Sequence, residues 1–214
     1  MSTGGELLQA LKAVSQTIPV GDPAEAVLRP VATAAANLNR NDVRVLTEWR
    51  NRYVTSFLTE FAASEARTER WLTKTVGPDP TRILFMLDDL NGHTLGYLGL
   101  AFIDWEKRTG EADAIVRGVD SGPGLMSRAL LTLLGWAHQQ LGLTTSLSVR
   151  VRSDNPAALR FYLKFGVETR RVSLREVAEP DMRRWVEDES LSVSPVQLVY
   201  VSFHRHLYES IYRH

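Results

Sequence analysis

The chain has 214 residues, of which 44% are hydrophobic and 23% are charged, and it contains no cysteine. Lysine plus arginine and aspartate plus glutamate number 25 each, so the formal net charge is zero; such a chain lacks the basic surplus that general binding to nucleic acid or anionic membranes requires. The composition is that of a globular domain, and the lack of cysteine excludes thiol catalysis, disulfides and cysteine-based metal sites.

The chain begins with a predicted helical extension. Polar residues interrupt every apolar run in the first 20 residues, which argues against a signal peptide or a membrane-spanning helix and favours a cytoplasmic protein. Apolar residues at near-helical spacing predict a helix over 6–18, and a turn at 20–23 follows it. We therefore divide the chain into an extension, residues 1–24, and a main domain, residues 25–214.

The main domain is predicted to be a mixed α/β domain. The spacing of apolar residues and the turn residues between them define its elements. In chain order these are a strand at 26–31, helices at 39–58 and 64–75, strands at 83–87, 94–105 and 111–119, a helix at 125–141, a strand at 145–151, a helix at 157–165, a strand near 167–174, a polar helical patch at 181–187 and a strand near 196–203. The order β-α-α-β-β-β-α-β-α-β-β favours a mostly antiparallel central sheet flanked by helices.

A glycine-bearing loop, Gly122-Pro123-Gly124, leads directly into the long helix that begins at Leu125. The free N–H groups and the dipole of a helix N-terminus favour an anion, and glycines let a phosphate approach the backbone. Ser127 would add a hydroxyl donor. The alternative is a tight turn without a ligand, since the loop matches neither the P-loop nor Gly-x-Gly-x-x-Gly.

A second distinctive stretch runs from Asn155 to Gly166. Asp154 or Asn155 suits an N-cap, Pro156 suits the first helical position, and Gly166 is expected to end the helix in a left-handed conformation. Tyr162 lies two turns into this helix. Its alternative interpretation is an aromatic side chain packed in the core.

Together the two stretches resemble the GNAT superfamily of acyl-CoA-dependent N-acetyltransferases. The family's loop pattern Arg/Gln-x-x-Gly-x-Gly/Ala, preceded by Val-x-Pro, falls on Val116, Gly118, Ser121, Gly124 and Met126. The later pattern Asn-x-x-Ala-x-x-x-Tyr-x-x-x-Gly-Phe falls on Asn155, Ala158, Tyr162, Gly166 and Val167. The chain departs from the family where Ser121 is not basic, Met126 is bulky and Gly118 replaces a common proline. The resemblance covers roughly residues 26–171.

The resemblance implies that an amine attacks the thioester of acetyl-CoA directly and that Tyr162 protonates the leaving thiolate. Backbone groups around Val116 to Gly118 would bind the thioester carbonyl and pantetheine, and Asn155 the pantetheine arm. The implied cofactor-binding residues are Val116, Arg117, Gly118, Gly122, Pro123, Gly124, Leu125, Met126, Ser127 and Asn155. No metal is expected.

The base that accepts the amine proton is expected on the predicted strand at 111–119. Glu111 lies five residues before Val116, which resembles the polyamine and ribosomal-protein branches of the family, and Asp113 shares its strand face because side chains alternate. We expect one of the two carboxylates to face the cleft as the base. The alternative is that both are solvated charges, and Asp104 and Glu106 are the next candidates.

The resemblance also implies an acceptor pocket between the first two helices of the domain and the last hairpin. The candidate acceptor-binding residues are Trp49, Arg50, Asn51 and Glu60, with Phe57, Trp71, Trp185 and His204 nearby. The segment 49–51 resembles a motif of branches that act on protein N-termini and on amino sugar nucleotides. Its alternative is a helix with one buried tryptophan. His204 and His206 have no third ligand nearby in sequence, so they do not predict a metal site.

We expect an enzyme that moves an acetyl group from acetyl-CoA to a primary amine on a small molecule, such as an amino sugar nucleotide. A protein N-terminal or ribosomal-protein acetyltransferase, a non-catalytic acyl-CoA-binding regulatory module and a purely structural partner-binding domain are the alternatives. The irregular loop favours the non-catalytic module, and the intact stretch from Asn155 to Tyr162 argues against it. Neither nucleic acid nor membrane is an expected partner, and a homodimer is left open.

Overall fold

The computed structural model describes residues 4–13, 16–192 and 194–212. The helices are α1 (Gly4–Ala13), α2 (Arg40–Arg52), α3 (Glu65–Trp71), α4 (Leu125–Gln140) and α5 (Pro156–Tyr162). The strands are β1 (Ile18–Val20), β2 (Ala26–Pro30), β3 (Thr59–Glu60), β4 (Ile83–Asp89), β5 (Thr94–Asp104), β6 (Thr109–Arg117), β7 (Ser146–Arg152), β8 (Gly166–Glu179), β9 (Met182–Glu187) and β10 (Gln197–Phe203). Within these ranges, no helix is both long enough and apolar enough to cross a membrane.

The strands form one sheet in the order β1-β2-β4-β5-β6-β7-β10-β8-β9-β3. Neighbouring strands run antiparallel except β6 and β7, which are parallel. The predicted mixed α/β fold with a mostly antiparallel sheet is therefore confirmed.

Each face of the sheet carries its own buried cluster. On one face, α1, α4 and α5 pack through residues that include Leu8, Leu130 and Tyr162. On the other face, α2 and the turn after α3 pack through residues that include Trp49 and Leu72. Because side chains alternate along a strand, one strand such as β4 supplies both clusters in turn.

The pairing of β6 with β7 ends early and leaves a gap in the sheet. Across the described residues the parallel ladder joins Thr109–Glu111 with Ser146–Ser148 and goes no further. Just beyond it the β5–β6 register shifts by one residue, and Ala114 has a φ of 51°. An extra residue of this kind is a β-bulge, which bends its strand and increases the local twist. The bulge turns the end of β6 away from β7, so the gap opens past Glu111.

The helix starts follow from local capping. Asn155 caps α5 by accepting a hydrogen bond from the Ala158 N–H at 3.2 Å, with Pro156 at the first helical position, as predicted. Asn39 caps α2 by accepting hydrogen bonds from the N–H groups of residues 41 and 42. The Asp42 side chain is buried and binds the guanidinium of Arg29 at 2.9 Å.

Two predictions were wrong. The segment 181–187 was predicted as a polar helical patch but contains β9, which pairs with β8 and carries the cross-strand ion pairs Arg183–Glu176 (3.0 Å) and Arg184–Glu179 (2.6 Å). Gly166 does not end α5 in a left-handed conformation, since its φ is not positive; it begins β8. Glycine is required there because a Cβ would lie 2.3 Å from the Ser202 carbonyl oxygen.

The predicted N-terminal helix is present as α1 and is packed onto the rest of the chain. Leu8 is fully buried, and the Lys12 ammonium donates to the carbonyl oxygens of Val76 and Gly77 at 2.7 and 3.2 Å. Residues 14 and 15 of the predicted helix lie outside the described residues, and Ile18 belongs to β1. The predicted boundary at 24/25 therefore falls inside the sheet, between the paired strands β1 and β2.

Candidate active site

Tyr162, at the end of α5, is buried near the gap between β6 and β7. Its ring packs edge-on against Phe203, with 6.5 Å between the ring centres. Burial raises the pKa of the Tyr162 phenol, and the negative charge of Asp113 on β6 raises it further. The phenol is therefore neutral at neutral pH and holds a proton that it can donate.

Asp113 is the carboxylate of β6 that lies past the end of the ladder with β7. Its side chain is 38% exposed, and it accepts a hydrogen bond from the Arg82 guanidinium at 3.2 Å. Its charge also adds to the effect of burial in raising the pKa of Tyr97, which lies on the neighbouring strand β5. Asp113 thus interacts electrostatically with Tyr97 and with Tyr162, and it remains open to solvent.

Glu111 lies at the last paired position of β6, where its carboxylate is held by an arginine of β7. Oε2 of Glu111 accepts a hydrogen bond from Nε of Arg150 at 2.6 Å. Burial raises the pKa of Glu111, Arg150 opposes the rise, and the charges of Asp113 and Glu187 add to it. Both predicted base candidates therefore lie at the edge of the gap. Asp113 is partly exposed to solvent, whereas Glu111 is bound to Arg150.

The next candidates, Asp104 and Glu106, lie at the opposite end of β6. Asp104 is the last residue of β5 and accepts from the Lys107 ammonium at 2.8 Å, and Glu106 lies in the turn between β5 and β6. Both are thus separated from Tyr162 by the paired part of β6.

The backbone N–H groups at the end of β6 point alternately toward β5 and toward the gap. The Gly118 N–H donates to the Leu95 carbonyl oxygen at 2.9 Å and so belongs to the sheet. Because successive N–H groups of a strand point to opposite sides, the Arg117 N–H faces the gap. The Val116 side chain is buried against the α2 face. Arg117 is therefore the predicted thioester-binding residue whose backbone N–H is available.

Gly118 replaces the common proline because α2 packs directly on it. A Cβ at Gly118 would lie 2.1 Å from the ring of Trp49, which is buried and stacks on Tyr97 with 6.1 Å between ring centres. This contact leaves no room for any side chain at position 118.

We expect Gly118→Ala to destabilise the protein by about 1–3 kcal/mol, because the new methyl group must displace the Trp49 ring. The free energy of unfolding in urea measures this. In a Trp49→Ala background the same change should have a much smaller effect, and an equal effect in both backgrounds would show that the contact is not the cause.

The loop before α4 has the features that a diphosphate requires. Gly122 and Gly124 have φ values of 78° and 82°, and Gly124 as N-cap provides no side-chain hydrogen bond to the first N–H groups of the helix. Oγ of Ser121 is buried without a hydrogen-bond partner among the described residues. An anion at this helix end would satisfy the hydroxyl and the free N–H groups together.

The bulky Met126 does not obstruct this loop, since its side chain packs against the core on the α4 face. Ser127 lies in the first turn of α4, as predicted, and Pro123 lies in the loop between the two glycines. Beside the loop, a cavity of about 490 Å³ is lined by Arg52, Tyr53, Arg117, Gly118, Val119 and Asp120. The guanidinium of Arg52 donates to the Gly118 carbonyl oxygen at 2.6 Å, which ties the end of α2 to the loop.

We expect Ser121→Ala to weaken acetyl-CoA binding about tenfold or more, because a hydrogen bond to a charged group contributes about 1.5–3 kcal/mol. The apo protein should lose no stability, since the variant removes a buried hydroxyl that has no partner. Calorimetric titration with acetyl-CoA and thermal unfolding measure the two effects, with Ser210→Ala near the C-terminus as the control. Unchanged affinity would show that Ser121 does not contact the ligand.

Trp49 and Asn51, two of the four predicted acceptor-binding residues, are held in packing or backbone contacts within their own region of the chain. Trp49 is buried, as described, which agrees with the alternative of one buried tryptophan in the helix. Asn51 fastens the segment between α2 and α3, because its amide accepts from the Ala63 N–H at 2.7 Å and donates to the Ala63 carbonyl oxygen at 3.0 Å. Asn155 likewise serves as the cap of α5.

Glu60 joins three strands on the acceptor side of the sheet. Its Oε1 accepts from the Arg152 guanidinium and from the Trp185 indole N–H, each at 2.7 Å. Burial alone would raise the pKa of Glu60, but these hydrogen bonds outweigh burial and lower it. Glu60 is thus a fixed carboxylate that links β3 to β7 and β9. Arg50 lies beside it, stacked on two phenylalanines.

The described residues contain no group of three histidine, cysteine, aspartate or glutamate side chains that is placed to hold a metal ion. The rings of His204 and His206 stack with 5.6 Å between their centres.

A match to a protein family decides the assignment. The sequence model of the acetyltransferase (GNAT) domain family matches residues 28–168, well over half of the 214 residues. The chain belongs to the GNAT acetyltransferase family. It is therefore an acyl-CoA-dependent N-acyltransferase, as the resemblance in the sequence implied.

Solved GNAT structures share the fold at low sequence identity. A chimera of the Vibrio cholerae spermidine N-acetyltransferase with hSSAT has a TM-score of 0.64 at 17% identity, over 87% of this chain and 99% of that one. The Vibrio cholerae spermidine N-acetyltransferase in complex with CoA and spermine has a TM-score of 0.62 at 19% identity, over 84% and 96%. A probable GNAT acetyltransferase from Chromobacterium violaceum has a TM-score of 0.67 at 14% identity, over 92% and 90%. No curated protein sequence matches the chain at a significant level.

Several residues around the gap between β6 and β7 were not predicted from the sequence. Arg150 was detectable, since Ser-Val-Arg-Val-Arg on β7 alternates and puts the arginines on one face. Tyr97 and Arg82 had no local signal, because the Arg82–Asp113 hydrogen bond and the effect of the Asp113 charge on Tyr97 depend on the pairing of strands distant in sequence. Phe102 also had none: it is 55% exposed with a φ of 52°, and its ring lies 4.4 Å from the Arg150 guanidinium.

Proposed function

We propose that this GNAT protein transfers the acetyl group of acetyl-CoA to the primary amine of a small molecule by direct attack. The observation that carries the proposal is the placement of Tyr162 and Asp113 at the gap between β6 and β7. A neutral phenol and an open carboxylate there supply a proton donor and a proton acceptor, and the N-terminus of α4 fits a diphosphate.

In this proposal acetyl-CoA supplies the acetyl thioester, and the chain supplies positioning and proton transfer. The backbone N–H groups of residue 122 and residues 124–127, with Ser121, bind the diphosphate, and the Arg117 N–H donates to the thioester carbonyl. Asp113 accepts the proton that the attacking amine loses, directly or through water. Tyr162 donates its proton to the leaving thiolate.

Asp113 suits the role of base better than Glu111 for a geometric reason. The Glu111 carboxylate is bound to Arg150 at 2.6 Å, whereas Asp113 is partly exposed and lies past the point where the strands separate. Glu111 then acts by holding Arg150 at the mouth of the gap.

For the acceptor, we propose a small amine rather than a protein N-terminus. The solved spermidine N-acetyltransferase with CoA and spermine supports a CoA thioester and a small amine as substrates. Within that class we propose an amino sugar nucleotide as the acceptor, acetylated in the cytoplasm. The packing of the partly buried Met126 against the core supports an enzyme over a non-catalytic module, since this side chain does not block the irregular loop.

A thiol-release assay with acetyl-CoA and a panel of amines tests this proposal. The panel should contain amino sugars, their nucleotide forms, polyamines and peptides with free N-termini. We expect turnover with at least one small amine. Acetyl-CoA binding without turnover on any amine would favour the non-catalytic module, and turnover on peptides alone would favour the protein acetyltransferase. If acetyl-CoA does not bind at millimolar concentration, both the enzyme and the module are excluded.

A further inference from the structure

Arg50 occupies an unusual position on the acceptor side of the sheet. It lies in the last turn of α2, and its Cζ is 3.8 Å from the centre of the Phe57 ring and 4.6 Å from that of Phe61. Its Nη2 donates to Oγ1 of Thr59 at 2.8 Å and to the Thr59 carbonyl oxygen. The two rings and Thr59 hold the guanidinium in a fixed plane. In the part of the chain that the structure describes, Thr59 is the acceptor bound by Nη2, and several of the five N–H donors have no acceptor.

Arg50 forms no ion pair with a carboxylate among the described residues, unlike Arg82, Arg150 and Arg152, although Asp113 and Glu60 act on its charge from a longer distance. Arg82, Arg150 and Arg152 bind carboxylates at 3.2, 2.6 and 2.7 Å. Among the described residues no carboxylate lies within 4.0 Å of Arg50. Partly buried charges are normally paired, because removal from water disfavours the ionised form. Burial lowers the pKa of Arg50 to about 10, so the guanidinium is still cationic at neutral pH.

Arg50 is held on the face of the sheet that α2 covers. Trp49, the preceding residue of α2, stacks on Tyr97 of β5, and two residues further along β5 Gly99 pairs with Asp113 of β6. The charges of Arg50 and Asp113 also act on the pKa of the Tyr97 phenol in opposite directions. Arg50 is therefore the cation of α2 that we consider for an acceptor whose amine reaches Asp113.

We infer that Arg50 forms an anion subsite of the acceptor site and binds a carboxylate or phosphate group that the acceptor carries apart from its reacting amine. The inference rests on the proposed function and adds the chemical class of the acceptor. The rigid guanidinium forms bidentate hydrogen bonds with either anion, and the phenylalanines exclude water from one side. Acceptors that carry only positive charges, such as polyamines, lack the group that this subsite binds.

Paired acceptors test the inference by comparing kcat/KM with and without the anion. One pair is glucosamine 6-phosphate and glucosamine, and the other is an amino acid and its amide, so the pairs separate phosphate from carboxylate. The wild type should prefer the anionic member of at least one pair by about 10- to 100-fold, the size expected for a hydrogen-bonded ion pair in a partly buried site. Arg50→Gln should abolish that preference, and Arg50→Lys should keep part of it.

Arg67→Gln is the matched control, since Arg67 also stacks on Phe61, at 3.7 Å, but binds Asp181 at 3.3 Å. This variant should keep the preference, and thermal unfolding should show that all variants are folded. Turnover without an anion preference, or a preference that survives Arg50→Gln, would overturn this inference and leave the proposed function standing. No turnover with any amine would overturn both.

Discussion

Replacing Tyr162 with phenylalanine is expected to lower kcat about 100-fold or more, the usual size of a lost general acid. The ring of Tyr162 is buried against Phe203, so phenylalanine preserves the packing and removes only the hydroxyl. Steady-state thiol release measures kcat, and calorimetry measures the affinity for acetyl-CoA, which should change little.

Tyr208→Phe is the control for this substitution, since Tyr208 is an equally buried tyrosine of the same core cluster near the C-terminus. It should leave kcat within about threefold, as expected of a residue away from the reacting groups. If Tyr162→Phe turned over at the wild-type rate, Tyr162 would have no role as the acid.

Asp113→Asn should produce the second large loss, a fall in kcat/KM of about 100-fold, because the variant cannot accept the amine proton. The exchange preserves size, and the amide oxygen can still accept from Arg82. Arg82→Gln breaks the same ion pair but leaves the carboxylate intact, so it should retain most of the activity. Equal losses of kcat/KM in the two variants would show that activity depends on the Asp113–Arg82 ion pair and not on Asp113 as the base.

Glu111→Gln separates the two candidate bases. We expect a fall of about tenfold at most, since Glu111 positions Arg150 and the amide can still accept from it. Burial raises the pKa of Glu111, so its carboxylate is lost at a higher pH than in an ordinary glutamate. If Glu111 were the base, activity would fall as the pH drops through that raised pKa, and Glu111→Gln would remove most of the rate together with this limb of the profile. A larger loss in Glu111→Gln than in Asp113→Asn would therefore assign the base to Glu111.

Much of the GNAT fold could be predicted because its signals are local. The strands β4 to β7, the helices α4 and α5 and the Asn155 cap follow from periodicity and from turn or capping residues close in sequence. The prediction of a helical patch at 181–187 was wrong because the charged residues of this segment do not alternate with an apolar face. Its strand is stabilised by ion pairs and hydrogen bonds with β8, which no local pattern reveals.

The candidate site also has one part that local sequence predicts and another part that depends on residues distant in sequence. The glycine loop and the tyrosine of α5 were predictable because each belongs to a short motif. The choice between Glu111 and Asp113 was not, since it depends on Arg150 of β7 and on the bulge at Ala114. The role of Gly118 depends on Trp49, which is distant in sequence and adjacent in space.

A crystal structure with CoA tests most directly whether the thioester reacts at the gap between β6 and β7. We predict that the sulfur lies within about 3–4 Å of the Tyr162 hydroxyl, as proton transfer requires, with the diphosphate on the amides that begin α4. CoA bound elsewhere, or with its sulfur far from Tyr162 and Asp113, would contradict the account.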